Sequence, residues 1–134
     1  MHEIESLLQT YAAGINEPDD ARRLAIFEQV LTDDMTFFPG TSSSEAPART
    51  RAEFSTAIGE LRAYLPEGAG IAITSGVDGH HGWIRFGWEF RTADGVLIPS
   101  RQGVDIAHVS DDGRLDQVIV FTGLQPPATG AELI

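Results

Sequence analysis

The sequence predicts an α+β domain in which three N-terminal helices pack on a curved, mainly antiparallel sheet. Two observations favour this fold class. Apolar residues recur with helical spacing as far as Leu65, and from Gly70 onward they alternate with polar or small residues. Helices segregated from strands along the chain are typical of an α+β domain, and 134 residues suit a single domain. A sheet bent around helices leaves a cone with an open mouth, which predicts a ligand pocket.

The first two predicted elements are amphipathic helices. Residues 4–15 carry apolar side chains at the i, i+3, i+4 and i+7 spacing of a helix. A second helix begins near Asp19, where acidic side chains lie at the positive end of the helix dipole. We expect residues 33–34 to end it and residues 35–38 to form a short strand.

A third helix is predicted after a polar loop. Thr50 and Glu53 form a capping box, so the helix begins there. Residues 40–48 lie between the short strand and this helix, and they are small and polar. We therefore expect this loop to form a mobile rim over the pocket mouth.

The second half of the chain is predicted to consist of strands. Residues 71–77 alternate between apolar and smaller or polar side chains, and residues 115–122 form an apolar final strand. Prolines and glycine mark residues 125–134 as a loosely held tail. The single domain is therefore expected to span residues 1–124.

The central predicted feature is a β-hairpin over residues 79–109. Asp94 and Gly95 form a two-residue turn signal, which would place Ala93 opposite Val96. Counting from that turn gives the predicted cross-strand pairs: Trp88 with Arg101, Phe86 with Gly103, Ile84 with Asp105, and His81 with His108.

Asp105 is the strongest functional clue on this hairpin. Alternation places it on the apolar face, beside Ile84 and Phe86. A carboxylate among apolar side chains is costly unless it is paired, protonated or functional. The structural alternative is an ion pair with a basic group such as Arg101. We favour a raised pKa, because Arg101 is four residues away, roughly 13 Å along the strand.

Composition limits the kinds of partner. The formal net charge of −11 disfavours nucleic acids, anionic membranes and polyanionic substrates, so a neutral or weakly charged small molecule fits better. The absence of cysteine excludes disulfides and thiol chemistry. We expect a cytoplasmic protein, because no secretory leader and no bilayer-spanning apolar run is visible.

Metal and cofactor sites are not expected. His80 and His81 are adjacent on a strand, so they point to opposite faces. His81 and His108 share a face in the predicted register, but no third ligand lies at a recognisable spacing. The serines at 42–44 lack a nucleophile-elbow context, and no phosphate loop or dinucleotide fingerprint is present.

Several segments, taken in order, resemble one superfamily. They are residues 11–23 with Tyr11, Asn16, Asp19, Arg22 and Arg23; residues 35–39; residues 80–88, ending in Trp88; and residues 103–105, followed by residues 112–115. Their order and spacing resemble the nuclear transport factor 2-like superfamily, and within it the SnoaL-like proteins. This resemblance implies a conical α+β barrel, often dimeric through its sheet.

The resemblance also implies roles for individual residues. Asp105 matches the cavity-facing aspartate that serves as acid/base in the SnoaL-type cyclases. In a cone fold the core and the pocket wall are continuous, so the expected ligand-contacting residues are Tyr11, Phe37, Phe86, Trp88 and Arg101. Relatives often carry an acid just before the proline of the short strand, where this sequence has Phe38. Two-carboxylate chemistry such as epoxide hydrolysis is therefore disfavoured.

Three roles follow from these observations. The first is cofactor-independent proton-transfer chemistry, such as isomerisation, cyclisation or dehydration, on an apolar carbonyl compound. The second is non-catalytic binding of a small molecule, and the third is an oligomerisation module. Trp83, Val104 and Ile106 share the second face of the hairpin, so we expect a homodimer that buries this face.

Overall fold

The computed structural model describes residues 2–40, 45–76 and 78–123. Within these ranges lie three helices and six strands: α1 (His2–Asn16), α2 (Asp20–Val30), β1 (Leu31–Phe38), α3 (Arg51–Ala63), β2 (Gly70–Ile73), β3 (Asp78–His80), β4 (Trp83–Arg91), β5 (Leu97–Val109) and β6 (Leu115–Thr122). The strands form one sheet in the order β1-β6-β5-β4-β2, with β3 also paired to β4. Only β1 and β6 pair in parallel among the described strands. The predicted α+β class is confirmed.

Two predictions fall partly or wholly on other residues. The predicted tail at 125–134 lies outside the described residues. So do positions 41–44 of the predicted rim loop and position 77 of the predicted strand.

Local capping sets where α2 and α3 begin, as predicted. The Asp19 carboxylate accepts a hydrogen bond from the Arg22 backbone N–H at 2.9 Å. The Thr50 hydroxyl accepts from the Glu53 N–H at 3.1 Å, and the Glu53 carboxylate accepts from the Arg49 N–H at 2.7 Å. These bonds satisfy backbone donors that a helix start would otherwise leave unpaired.

The first strand is longer than predicted. β1 begins at Leu31 rather than at residue 35, so Asp33 and Asp34 belong to the strand instead of ending α2. Leu31 and Met35 are fully buried, and the two acids between them are exposed. The prediction was wrong because β1 is an edge strand, where charged side chains reach solvent at little cost.

The first arm of the predicted hairpin is shorter than expected. His81 and Gly82 have φ angles of 56° and 82°, and they turn the chain between β3 and β4. Trp83, not His81, therefore pairs with His108. The predicted pair was wrong because glycine at position 82 permits a tight turn with two positive φ angles.

The β4–β5 register also differs from the prediction. The Thr92 N–H donates to the Val96 carbonyl at 2.8 Å, so the loop holds three residues rather than two. Residues 98–101 of β5 then lie opposite Phe90 alone, because Glu89 pairs with Gln102 and Arg91 with Leu97. A bulge shifts all later pairs along the ladder. The observed pairs are Trp88 with Gly103, Phe86 with Asp105, and Ile84 with Ala107.

The face assignments nevertheless hold. The pairs beyond the bulge are displaced by two residues, and an even shift keeps every side chain on its predicted face. Phe86 and Trp88 are buried on the inner face with Asp105, whereas Trp83 on the outer face is 39% exposed. The helices cover the inner face, where Tyr11 and Phe54 stack with ring centroids 6.1 Å apart.

Two polar side chains tie the helices to their surroundings. The Asn16 amide accepts from the Ile71 N–H at 2.7 Å and donates to the Ile71 carbonyl at 3.1 Å, so it pairs with edge strand β2 as a neighbouring strand would. Arg23 is 2% exposed. Its guanidinium pairs with Asp20 at 2.8 Å and donates to the carbonyl oxygens of Glu17 and Pro18, as expected for a structural arginine.

No helix in the described ranges combines the length and the apolar character that crossing a membrane requires.

Candidate functional site

A cavity of about 590 Å³ lies between α1, α3 and the inner face of the sheet. Its volume is within the range of small-molecule pockets. Buried side chains form one part of its wall: Tyr11, Ile15, Ile58, Trp88 and Phe90. Exposed side chains form another part: Glu45, Glu60, Tyr64, Pro99 and Ser100. The cavity is therefore apolar and aromatic where it is deepest, and polar where it meets solvent.

Asp105 lies beside this wall without being part of it. It is 4% exposed, opposite Phe86 and diagonal to Trp88 on the inner face of β4 and β5. Within the described residues, neither Oδ1 of Asp105 nor Nε1 of Trp88 has a hydrogen-bond partner. Buried polar atoms are nearly always paired, so two unpaired atoms next to a cavity mark an unusual place.

Burial raises the pKa of Asp105 from 3.8 to about 8. The Trp88 side chain acts in the opposite direction and lowers this pKa. Burial is the larger influence on this pKa, and no hydrogen bond of normal geometry joins the indole to the carboxyl. Burial, and secondly the charge of Asp105, raises the pKa of Tyr11 well above its usual value. At neutral pH both groups are mainly neutral O–H donors.

Gly103 makes room for the indole next to Asp105. A Cβ at this position would collide with the Phe121 carbonyl oxygen and would lie 2.9 Å from Cζ2 of Trp88. Only glycine lets β6 and the Trp88 ring approach β5 this closely. The backbone here therefore lets Trp88, a residue of the cavity wall, pack next to Asp105.

Solved structures of the same shape identify the fold. One is a proposed isomerase of the SnoaL-like family from Agrobacterium tumefaciens, 24% identical over 92% of this chain and 100% of that one, with a TM-score of 0.79. Another is a protein of unknown function with a cystatin-like fold from Methylobium petroleophilum. It is 17% identical over 96% of this chain and 80% of that one, with a TM-score of 0.71. A third is a nuclear transport factor 2-like protein of unknown function from Exiguobacterium, which is 14% identical over 89% of this chain and 99% of that one, with a TM-score of 0.66. The chain has the nuclear transport factor 2-like fold. No protein-family model and no curated protein sequence matches it.

The nuclear transport factor 2-like fold brings most of the predicted ligand-contacting residues to one wall. Tyr11, Phe37, Trp88 and Arg101 line the cavity. Phe86 does not line it; this side chain is 1% exposed, and its ring meets Tyr11 edge-on at 6.4 Å. Tyr11 and Trp88 thus connect the cavity to the layer that contains Phe86 and the predicted acid/base group.

The alternative role for Asp105, an ion pair with Arg101, is not observed. Arg101 has no ion pair or hydrogen bond with any residue in the described ranges, so it does not neutralise Asp105. The side chain of Arg101 is partly buried in the cavity wall instead. The carboxyl therefore has a buried, unpaired environment, as the sequence pattern predicts.

Several wall residues were not predicted as site residues. Ile58 and Leu61 of α3 belong to the helical stripe that sequence reasoning assigns to the core, and Ile71 belongs to β2. No sequence signal separates a core position from a wall position, because both demand an apolar side chain. Glu60, next to Leu61, was missed because its exposed position reads as solvated helix surface.

The histidines form no metal site among the described residues, where no group of three potential ligands occurs. His108 Nδ1 lies 2.7 Å from Asp116 Oδ1, and its ring contacts Trp83 at 4.8 Å between centroids. The rings of His80 and His81 lie 4.4 Å apart around the β3–β4 turn. These contacts are those of surface histidines on the outer side of the sheet.

Proposed function

We propose that this protein binds an apolar carbonyl compound in the cavity and that Asp105 supplies a proton-transfer group for its isomerisation, cyclisation or dehydration. The observation that carries the proposal is the unpaired carboxyl of Asp105, 4% exposed beside the cavity. An unpaired buried acid costs stability. Its presence next to a pocket favours a functional role.

The proposed chemistry uses the neutral form of the acid. In the isomerisation, the carboxylate of Glu60, which lines the cavity, or water at the cavity mouth takes the α-proton of the ketone and returns it to the γ-carbon, and negative charge develops transiently on the carbonyl oxygen. A neutral carboxyl at that oxygen stabilises the charge by donating a hydrogen bond, and the effect is strongest where water is excluded. Tyr11, also neutral, lines the cavity and is a second potential O–H donor.

The geometry sets one requirement for this reaction. Trp88 and Tyr11 are in the cavity wall, whereas Asp105 is 4% exposed and does not line it, so a carbonyl oxygen reaches the carboxyl only if side chains of the wall move. No hydrogen bond within the described residues anchors the indole N–H, but the ring is packed in the core and only 8% exposed, so its movement has to be driven by substrate binding. Proton transfer therefore requires a rearrangement of this wall when substrate binds.

The test is conversion of 3-cyclohexen-1-one to its conjugated isomer, followed by ultraviolet absorbance. We expect Asp105→Asn to lower kcat/KM by about a hundredfold, the usual contribution of an acid/base group. The wild-type rate should fall as pH rises through about 8, because the neutral donor is lost. Asp94→Asn, the same change at an exposed loop position, is the matched control and should keep the wild-type rate.

A second candidate function is binding without catalysis. The observation that favours it is the absence of Asp105 from the wall of the described cavity. In that case the wild type and Asp105→Asn bind the ketone equally in calorimetry and neither converts it. Equal turnover by the two proteins would instead contradict any role for Asp105 in proton transfer.

A further inference from the structure

Arg101 is a cation without a counterion among the described residues, in the wall of a cavity that is mainly apolar and whose other charged residues are Glu45 and Glu60. It is partly buried, and no described residue forms an ion pair or hydrogen bond with it. A partly desolvated guanidinium without a partner is unfavourable, and a planar carboxylate satisfies its donors in bidentate fashion. The guanidinium of Arg101 is therefore available to an anionic group of a ligand in the cavity.

The backbone next to Arg101 adopts an unfavourable conformation. Residues 98–101 form the bulge opposite Phe90, and within it Ser100 has a φ of 65°. A left-handed conformation is unfavourable for a residue other than glycine, and such strain persists where the surroundings enforce it, often at ligand sites. The bulge brings Pro99, Ser100 and Arg101 to the cavity wall together.

We propose that Arg101 binds the carboxylate of an apolar acid whose hydrocarbon body lies against Trp88 and Phe90. This proposal rests on the proposed function, which places an apolar molecule in the cavity, and it adds the chemical class of that molecule. Arg101 and Asp105 are four residues apart on β5, roughly 13 Å by strand rise. A ligand that spans both residues has a carboxylate at one end and a carbonyl group near the other, so it is an apolar keto acid.

The charge of the site permits one carboxylate and disfavours a polyanion. Glu45 and Glu60 also line the cavity, and both are exposed, so solvent screens their repulsion. The whole chain carries a net charge of −11, which opposes ligands with several negative charges. A single arginine among apolar walls matches a monoanion with a long apolar chain.

The experiment compares three probes that share one chain: decanoate, decan-1-ol and decylammonium, each titrated into the whole protein by calorimetry at neutral pH. We expect decanoate to bind about tenfold more tightly than decan-1-ol, the effect of one charge-assisted hydrogen-bonded pair. Arg101→Gln should abolish this preference, and Arg101→Lys should keep part of it. Arg22→Gln removes the same charge from an exposed position on α2 and should keep the full preference. Thermal melts establish that each variant is folded.

Each outcome distinguishes this proposal from the proposed function. Equal binding of decanoate and decan-1-ol, or no effect of Arg101→Gln, overturns the carboxylate site and leaves an apolar cavity. Tighter binding of decylammonium also overturns it, in favour of the glutamates. If none of the probes binds, the carboxylate site is overturned, and turnover of 3-cyclohexen-1-one still decides the proposed function. If decanoate binds through Arg101 while Asp105→Asn leaves ketone turnover unchanged, the carboxylate site stands and the proton-transfer role fails.

Discussion

Replacing Asp105 with asparagine should change how the stability of this protein depends on pH. The carboxyl has a pKa of about 8 in the folded chain against 3.8 for an ordinary aspartate. Between these values the unfolded chain has released the proton and the folded chain still holds it. The folded state binds more protons in this window, so its stability falls as pH rises.

The magnitude follows from the size of the window. Each pH unit inside it costs the wild type about 1.4 kcal/mol of unfolding free energy. From about pH 5 to about pH 7 the wild type should therefore lose about 3 kcal/mol relative to Asp105→Asn, with the difference levelling off above about pH 8. Such a change is a large fraction of the total stability of a typical domain.

The assay is urea unfolding of both proteins at several pH values, followed by circular dichroism. Subtracting the two curves removes the contribution of the other acids, which the proteins share. Asp94→Asn, the same substitution at an exposed position, is the matched control. A flat difference for Asp105→Asn would refute the reasoning, because it would mean that burial does not raise this pKa. If the variant fails to fold, the carbon-13 shift of the Asp105 carboxyl in the wild type reports the same midpoint.

Two further predictions concern the sheet. Gly103→Ala should destabilise the protein by about 1–3 kcal/mol, because the added Cβ collides with the Phe121 carbonyl oxygen. The control is Gly76→Ala, at a glycine with nothing within 4 Å of its Cβ position. Equal melting temperatures for the two variants would contradict the packing argument. We also propose that a second copy of the chain covers the outer face, where Trp83 and Phe121 are 39% and 48% exposed. Sedimentation equilibrium should show that the wild type is a dimer. Trp83→Glu should dissociate this dimer, and the control Val96→Glu, in the β4–β5 loop, should leave it intact. A monomeric wild type at micromolar concentration would contradict this proposal.

Much of the fold could be predicted because its signals are local. The cap at Thr50 depends on Glu53, three residues away: the Thr50 hydroxyl makes the expected bond, and the Glu53 carboxylate accepts from the N–H of the preceding residue, Arg49, rather than from that of Thr50. The bounds of β6, Leu115–Thr122, agree with the predicted strand because turn residues and apolar alternation mark both ends. The inner-face position of Asp105 was also predictable, because alternation along one strand does not depend on its partner.

The register of the central hairpin could not be predicted in the same way. Asp94 and Gly95 signal a turn, but the turn chemistry allows loops of two or three residues. The bulge at residues 98–101 depends on how β5 packs against β4 and the cavity, and no local preference announces it. The predicted pairs were therefore displaced although the faces were right.

By itself, the sequence determined the class of the fold, the faces of its strands, and the burial expected for Asp105. Only the tertiary structure decided which apolar residues line a cavity and which fill the core, and that Trp88 is in the cavity wall whereas Asp105 is not. It also decided that Arg101 lies in the wall without a counterion. The physical reason is that burial and periodicity are properties of one element, whereas a cavity exists only between elements, where packing from several parts of the chain leaves space.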